Sequence, residues 1–295
     1  MAYEKEKDIP FGFLNIYKPK GLTSHDVVAK LRKVLKIKQV GHTGTLDPFA
    51  TGVLPIAVGK ATKLIEYLDD DKEYIATVQF GKTTDTYDLE GEVTETFDKN
   101  ATESEVVEAL KSFEGEISQM PPIYSAIKVN GKKLYDYARA GEQVEIKSRQ
   151  VTISRIELVD FDCENQIAKI IVACSKGTYI RSIAYDLGAK LGCGGYLIAL
   201  ERTKAGEFLV GNTVELDKIT EDDACKLLIN PLDVLKRPCY NLSDSDKQRV
   251  SHGMWINNHD FKNSDIVFLI YSGKIYAIGM VNHNKILVKK VFEVL

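Results

Sequence analysis

The chain has 295 residues, a net charge of −3, and 44% hydrophobic and 27% charged side chains, as in ordinary globular proteins. This composition excludes a disordered, collagen-like or low-complexity chain, and the lack of an apolar run of about 18 residues predicts no membrane span. The alternating charges of residues 1–8 are unlike a secretory signal, so we expect a cytoplasmic protein.

The cysteines and histidines favour no metal site. Disulfide frameworks and four-cysteine zinc sites need regular pairs, which are missing among Cys163, Cys174, Cys193, Cys225 and Cys239. We therefore predict buried, reduced thiols. The five histidines lack a metal-binding spacing, and neither a phosphate loop nor a dinucleotide fingerprint is present. The sequence predicts no cofactor.

Charge is segregated along the chain. Residues 18–63 contain nine basic and two acidic side chains, residues 64–120 four basic and sixteen acidic, and residues 121–155 seven basic and three acidic. Two basic stretches on one face could hold a polyanion through counterion release. A solvated surface of mixed charge explains the same pattern equally well.

The first elements are a strand, a helix and a glycine-rich loop. Residues 11–17 read as a buried strand, and Thr23 with Asp26 predicts a capped start for a helix over 24–36. Three glycines, three threonines and a proline between Gly41 and Gly52 exclude a regular helix or a central strand there. The apolar residues 53–58 that follow predict a loop held against the core.

Strands then outnumber helices. Alternation predicts strands at 74–80, 151–159 and 168–174, and helical periodicity predicts helices at 103–113 and 179–191. The predicted fold is α+β, with an extended mixed, mainly antiparallel sheet flanked by helices. A boundary near Pro231–Pro238 separates a large domain (1–237) from a small β-rich module (238–295) with strands at 266–271, 274–281 and 286–292.

Asp47 is an isolated carboxylate within the glycine-rich loop. Asp-Pro alone is common turn chemistry, but the segment 41–55 resembles the signature of the tRNA pseudouridine-55 synthases. Further blocks at 15–24, 72–75 with 81–91, 121–139, 177–188 and 200–206 resemble that family in the same order. One departure is Glu201, where the family pattern predicts arginine.

The resemblance implies conversion of uridine 55 in the tRNA T-loop to pseudouridine. The base is flipped out, the N1 glycosidic bond breaks, and the uracil reattaches through C5. Asp47 would be the catalytic carboxylate, either adding to C1′ or removing the C2′ proton to give a glycal. Arg181 would pair with it, and Tyr74 would lie against the uracil. Without the resemblance, Arg181 reads as a surface helix residue and Tyr74 as core.

The resemblance also implies substrate-binding residues. His42 would fill the space that the flipped base leaves, although an isolated loop histidine is usually solvated. Pocket residues would be Tyr124, Tyr179 and Leu200, with core packing as the alternative for Tyr124 and Leu200. Phosphates would be bound by Lys18, Lys20, Lys128, Lys132 and Arg139. The expected partner is the tRNA T-arm stem-loop, the small module would be a PUA-like RNA-binding unit, and we expect a monomer without metal.

Two other functions fit parts of the pattern. A tRNA-binding protein without chemistry would use the same basic stretches but would not need Asp47, Tyr74 and Arg181 together. A carboxylate glycosidase would need a second positioned acid, and the sequence places none beside Asp47.

Overall fold

A computed structural model describes residues 11–125, 127–258 and 260–292. Within these ranges the strands are β1 (Gly12–Lys18), β2 (Val40–His42), β3 (Thr51–Val58), β4 (Lys72–Phe80), β5 (Lys82–Thr84), β6 (Val93–Thr96), β7 (Gly115–Gln119), β8 (Lys128–Val129), β9 (Lys132–Lys133), β10 (Arg149–Asp162), β11 (Ile167–Cys174), β12 (Gly195–Ala205), β13 (Phe208–Leu209), β14 (Val214–Glu215), β15 (Cys239–Asn241), β16 (Ile256–Asn257), β17 (Ile266–Tyr271), β18 (Lys274–Asn282) and β19 (Lys285–Val291). The α-helices of the same ranges are α1 (Ser24–Leu35), α2 (Glu103–Lys111), α3 (Leu134–Ala140), α4 (Ile180–Leu191), α5 (Glu221–Leu227), α6 (Pro231–Val234) and α7 (Asp244–Ser251), with 3₁₀ segments at Gly59–Tyr67, Val210–Asn212 and Leu216–Lys218.

A large mixed sheet organises the first part of the described chain. Its strand order is β14-β1-β3-β12-β4-β11-β10-β7, with β2 added to β3 and β13 added to β12. The β1–β14 and β3–β12 pairs are parallel, and the other pairs of this sheet are antiparallel. The predicted α+β fold with an extended, mainly antiparallel sheet is confirmed.

Local sequence signals position the helices. Thr23 and Asp26 form the predicted capping box of α1, and Thr102 and Glu105 form one for α2. Helix α1 ends one residue earlier than predicted because Lys36 adopts φ +56°. Helices α2 and α4 pack against each other, with contacts to β10 and β12 respectively, and this layer holds the main apolar core.

A second sheet carries the end of the described chain, with the order β15-β17-β18-β19-β16. The three predicted strands are present as β17, β18 and β19. A separate apolar cluster joins this sheet to the first one, because Phe268 and Ile278 pack with Phe13 and Val53 from β1 and β3. The end module is therefore docked through an apolar contact.

The cysteine prediction is wrong in part. Cys174 and Cys193 are buried free thiols, but Cys163 and Cys239 are free and exposed. Cys163 lies in the turn after β10 and Cys239 begins the edge strand β15, so neither reaches a core. The Cys225 side chain and residues 1–8 lie outside what the structure describes.

Candidate active site

The loop that carries Asp47 connects β2 to β3 and is held by buried cations. Arg202 of β12 is 1% exposed, and its guanidinium donates to the carbonyls of Gly44, Thr45 and Val53 at 3.1, 3.5 and 2.7 Å. Gly52 lies against the same strand at φ +102°, where a Cβ would approach the Arg202 carbonyl oxygen to 2.3 Å. Only glycine allows this close approach of β3 to β12.

Lys18 holds the other side of the loop, which corrects its predicted role as a phosphate ligand. The side chain is fully buried, and its Nζ donates to the carbonyls of Pro19, Leu22 and Pro48 at 3.0, 2.6 and 3.2 Å. Burial lowers the pKa of Lys18 to about 8, while attraction to Asp47 opposes the shift. An ammonium group enclosed by three carbonyls is not available to an RNA backbone.

Arg181 joins Asp47 to a second carboxylate. Its Nε lies 3.0 Å from Asp47 Oδ2, its Nη2 donates to Asp47 Oδ1 at 3.3 Å, and its Nη1 donates to Asp88 Oδ2 at 3.1 Å. The Arg181 side chain is 8% exposed and that of Asp88 is 4% exposed. Arg181 also donates to the Tyr124 carbonyl at 3.0 Å. Arg181 is thus a buried cation between two acids rather than a surface helix residue.

The protein environment raises the pKa of Asp47. Burial is the largest cause, Arg181 opposes it, and repulsion from Asp88 adds to it. Asp88 is held in turn by Thr86 Oγ1 at 2.6 Å and by the Glu90 amide at 3.0 Å. The charge of Arg181 therefore has to serve two carboxylates, and its position depends on both.

Asp47 and Arg181 line a cavity of about 640 Å³, within the usual range for ligand pockets. Four more predicted residues line it with them: Tyr74, Tyr124, Tyr179 and Leu200. Burial raises the pKa of Tyr74, and the positive charge of Arg202 opposes this shift. Gln119 fixes Tyr179 through both backbone groups, at 2.7 Å to the amide and 3.0 Å to the carbonyl.

His42 ends β2 just before the lining residue Thr43 and is not itself a lining residue. Its ring meets the exposed His25 edge to face, with ring centroids 5.3 Å apart. Burial lowers the pKa of His42 to about 4, and repulsion from His25 and Arg202 adds to this shift. The imidazole is therefore neutral at pH 7.

The remaining predicted RNA ligands lie on the surface. Lys20 and Lys128 are exposed, Lys128 on the β8–β9 hairpin. Lys132 of that hairpin pairs with Glu142 at 2.8 Å, and the Arg139 guanidinium lies 5.4 Å from the Tyr135 ring centroid. None of these cations lines the described cavity.

Sequence reasoning gave no role to Asp88 or Arg202, although both lie in segments that resemble the family. The signal for Asp88 was a carboxylate preceding a glycine turn, which is also ordinary turn chemistry. Glu201, the departure from the family pattern, accepts a hydrogen bond from Tyr17 at 3.0 Å. The Glu201 carboxylate therefore has a hydrogen-bond partner within the protein.

Within the described ranges, no group of three or more His, Cys, Asp or Glu side chains is arranged to hold a metal ion. The helices of those ranges include none long and apolar enough to cross a membrane.

Two solved structures share this fold. One is described as a Cbf5-Nop10-Gar1 complex, with a TM-score of 0.71 and 27% identity over 96% of this chain and 85% of that chain. The other is an H/ACA RNP bound to a substrate RNA containing 2′-deoxyuridine, with a TM-score of 0.70 and 25% identity over 99% and 92%.

Curated relatives match nearly the whole chain. Proteins named tRNA pseudouridine synthase B are 45% identical in Carboxydothermus hydrogenoformans, 42% in Clostridium kluyveri and 41% in Bacillus anthracis. These matches cover 96, 91 and 94% of this chain and 98, 95 and 97% of the relatives. Fold, site and relatives together define a pseudouridine synthase, as the sequence blocks predicted.

Family models give the more specific assignment. The model of the TruB family pseudouridylate synthase N-terminal domain matches residues 32–180, and that of the tRNA pseudouridylate synthase B C-terminal domain matches residues 181–235. The chain belongs to the TruB family of pseudouridine synthases.

Proposed function

We propose that this protein converts uridine 55 in the T-loop of tRNA to pseudouridine, with Asp47 as the catalytic carboxylate. The observation that carries the proposal is the Asp47 carboxylate in the lining of the 640 Å³ cavity, 3.0 Å from the buried Arg181 guanidinium. The name of the curated relatives, tRNA pseudouridine synthase B, supports tRNA as the substrate.

The reaction is an isomerisation, so its atoms balance without a redox partner. The N1–C1′ bond breaks, a C5–C1′ bond forms, and the proton on C5 is lost while N1 gains one. In one route, ionised Asp47 adds to C1′ and is later displaced by C5. In the other, Asp47 removes the C2′ proton to give a glycal, and C2′ is reprotonated after the base has turned. Both routes need an ionised carboxylate, which Arg181 stabilises against the effect of burial.

Tyr74 is proposed to support the detached uracil. Its side chain lines the cavity together with Asp47 and Arg202. Stacking on an aromatic ring contributes about 1–3 kcal/mol per base. This contact would keep the base near C1′ while it rotates, and the hydroxyl is a candidate for moving the C5 proton.

His42 is proposed to occupy the space left by the flipped base. Flipping costs a few kcal/mol of lost stacking, and a planar neutral ring can replace part of that stacking. The low pKa of His42 keeps the ring uncharged. Its place at the end of β2, next to the Asp47 loop, supports this role.

The RNA-binding surface is proposed to extend beyond the cavity. Exposed Lys20 and Lys128, with Lys132 and Arg139, are suited to T-arm phosphates, whereas Lys18 is reassigned to loop support. We propose residues 1–237 as the catalytic domain and 238–295 as a PUA-like RNA-binding module. We also propose that the protein acts as a monomer, because Asp47, Tyr74 and Arg181 already meet within one copy of the chain.

Replacement of Asp47 by Asn tests the proposal. We expect a T-arm stem-loop RNA to be bound by this variant but not isomerised, whereas the wild type forms pseudouridine detectable by mass spectrometry after nuclease digestion and chemical labelling. Turnover by Asp47→Asn would overturn the assignment. Release of free uracil by the wild type would indicate a glycosidase, and binding without any product would indicate a tRNA-binding protein.

A substrate deuterated at C2′ separates the two routes. Removal of the C2′ proton breaks that bond and predicts a primary isotope effect on a slow chemical step. Addition to C1′ leaves the bond intact, so we expect only a small secondary effect on that route.

A further inference from the structure

Three consecutive aspartates, Asp69, Asp70 and Asp71, precede β4 near the cavity mouth, where a polyanionic substrate would be repelled. Each is matched by a cation: Asp69 with Arg237 at 3.5 Å, Asp70 with Lys176 at 2.7 Å, and Asp71 with Lys204 at 2.8 Å. Only the Asp70–Lys176 pair has both members in the lining of the described cavity.

The two partners extend from neighbouring strands. Asp70 lies just before β4, and Lys176 lies between β11 and α4, which begins one residue before Arg181. Strands β4 and β11 pair as far as Lys72 and Cys174. The ion pair therefore bridges two segments at the rim of the cavity. The Lys176 side chain is 74% exposed and that of Asp70 is 46% exposed.

We infer that Lys176 binds a phosphate beside the nucleotide whose base enters the cavity, and that Asp70 holds the lysine in place until RNA displaces it. The inference rests on the proposed function. An exposed ion pair contributes little to stability, so exchanging a carboxylate for a phosphate is easy. When an RNA phosphate replaces Asp70 on Lys176, counterions are released from the RNA, and this release adds to the affinity. The Asp70–Lys176 ion pair has no such contribution.

The inference predicts opposite effects from breaking the same ion pair. Lys176→Met removes the phosphate ligand, so we expect Kd for a T-arm stem-loop RNA to rise about tenfold. Asp70→Asn removes the competing anion, so we expect Kd to fall, by up to about fivefold. The slope of log K against log salt should become shallower by about 0.7 in Lys176→Met, and Lys176→Arg should restore it.

The Asp71–Lys204 pair supplies matched controls, because it is a similar exposed ion pair outside the cavity lining. We expect Asp71→Asn and Lys204→Met to leave Kd and the salt slope near wild type. Binding is measured in an Asp47→Asn background to prevent turnover. Initial rates are measured without that substitution, and there we expect Lys176→Met to change KM rather than kcat.

Two results would overturn the inference. Shifts of Kd in the same direction for Lys176→Met and Asp70→Asn would indicate a merely structural bridge, as would an unchanged salt slope in Lys176→Met. Both are distinct from failure of the proposed function, in which the wild type itself makes no pseudouridine.

Discussion

Replacing Asp88 with Asn tests whether Arg181 must be held from both sides to orient Asp47. Arg181 directs Nη1 to Asp88 and its other nitrogens to Asp47. Asn keeps the shape of Asp88 and one acceptor for the Thr86 hydroxyl and the Glu90 amide. It removes the negative charge, which is the feature under test.

The expected magnitude follows from the burial of this contact, since the Asp88 carboxylate is 4% exposed. A hydrogen bond to a charged group contributes about 1.5–3 kcal/mol. If that loss falls on the transition state, the rate of isomerisation decreases about 10- to 150-fold. Asp88 also helps to raise the pKa of Asp47. Its neutralisation should therefore lower that pKa and move the acidic limb of the rate profile to lower pH.

The assay is the single-turnover rate at saturating T-arm RNA, measured across pH, with RNA affinity and urea unfolding measured in parallel. Asp162→Asn is the control, because Asp162 also accepts a hydrogen bond from a backbone amide, that of Glu164, but is exposed at the end of β10. A wild-type rate in Asp88→Asn with an unmoved acidic limb would refute the reasoning. Arg181 would then be positioned by its carbonyl contacts and Asp47 alone.

Three further changes test the support of the loop. Lys18→Met should lower the free energy of unfolding by about 2 kcal/mol through unsatisfied carbonyls, and leave the salt slope of RNA binding unchanged; a shallower slope would restore the phosphate role. With a pKa of about 4 folded and 6.5 unfolded, His42 takes up a proton first in the unfolded chain. The free energy of unfolding therefore falls as pH falls from 6.5 to 4, by about 2 kcal/mol between pH 7 and 5. In urea unfolding, His42→Gln should not show this contribution to the pH dependence. Gly52→Ala should cost about 3 kcal/mol or more by the same measurement, whereas Gly211→Ala, with open space at its Cβ, should be near neutral.

The fold was predictable where the signal is local. The strand β4 alternates Tyr74, Ala76 and Val78 toward the core, and the α1 cap joins residues three apart. The ends of the helices were less predictable. Helix α1 ends where Lys36 adopts a left-handed conformation, and a lysine does not predict that conformation. Cys163 and Cys239 are exposed because the first lies in a turn and the second on an edge strand, and their local sequence predicts neither position.

The site was predictable only where a resemblance supplied it. Arg181 lies 134 positions from Asp47, and no periodicity or spacing relates residues that far apart. Asp88 was missed because its role exists only after α4 brings Arg181 against the turn that precedes β6. From the sequence alone, that turn is satisfied by local hydrogen bonds, and nothing in it indicates a buried ion pair.

Charge counted along the chain does not show which cations are available to RNA, because several of them are buried. Lys18, Arg181 and Arg202 come from different elements and converge on the Asp47 loop, where carbonyls and a carboxylate use their positive charge. The aspartates at 69–71 are matched by cations from elsewhere, so that acidic run is less repulsive than its composition indicates. We therefore expect phosphates to meet only the exposed or exchangeable cations. The salt slope of RNA binding should therefore follow exposed lysines such as Lys20, Lys128 and Lys176, and be insensitive to the three buried ones.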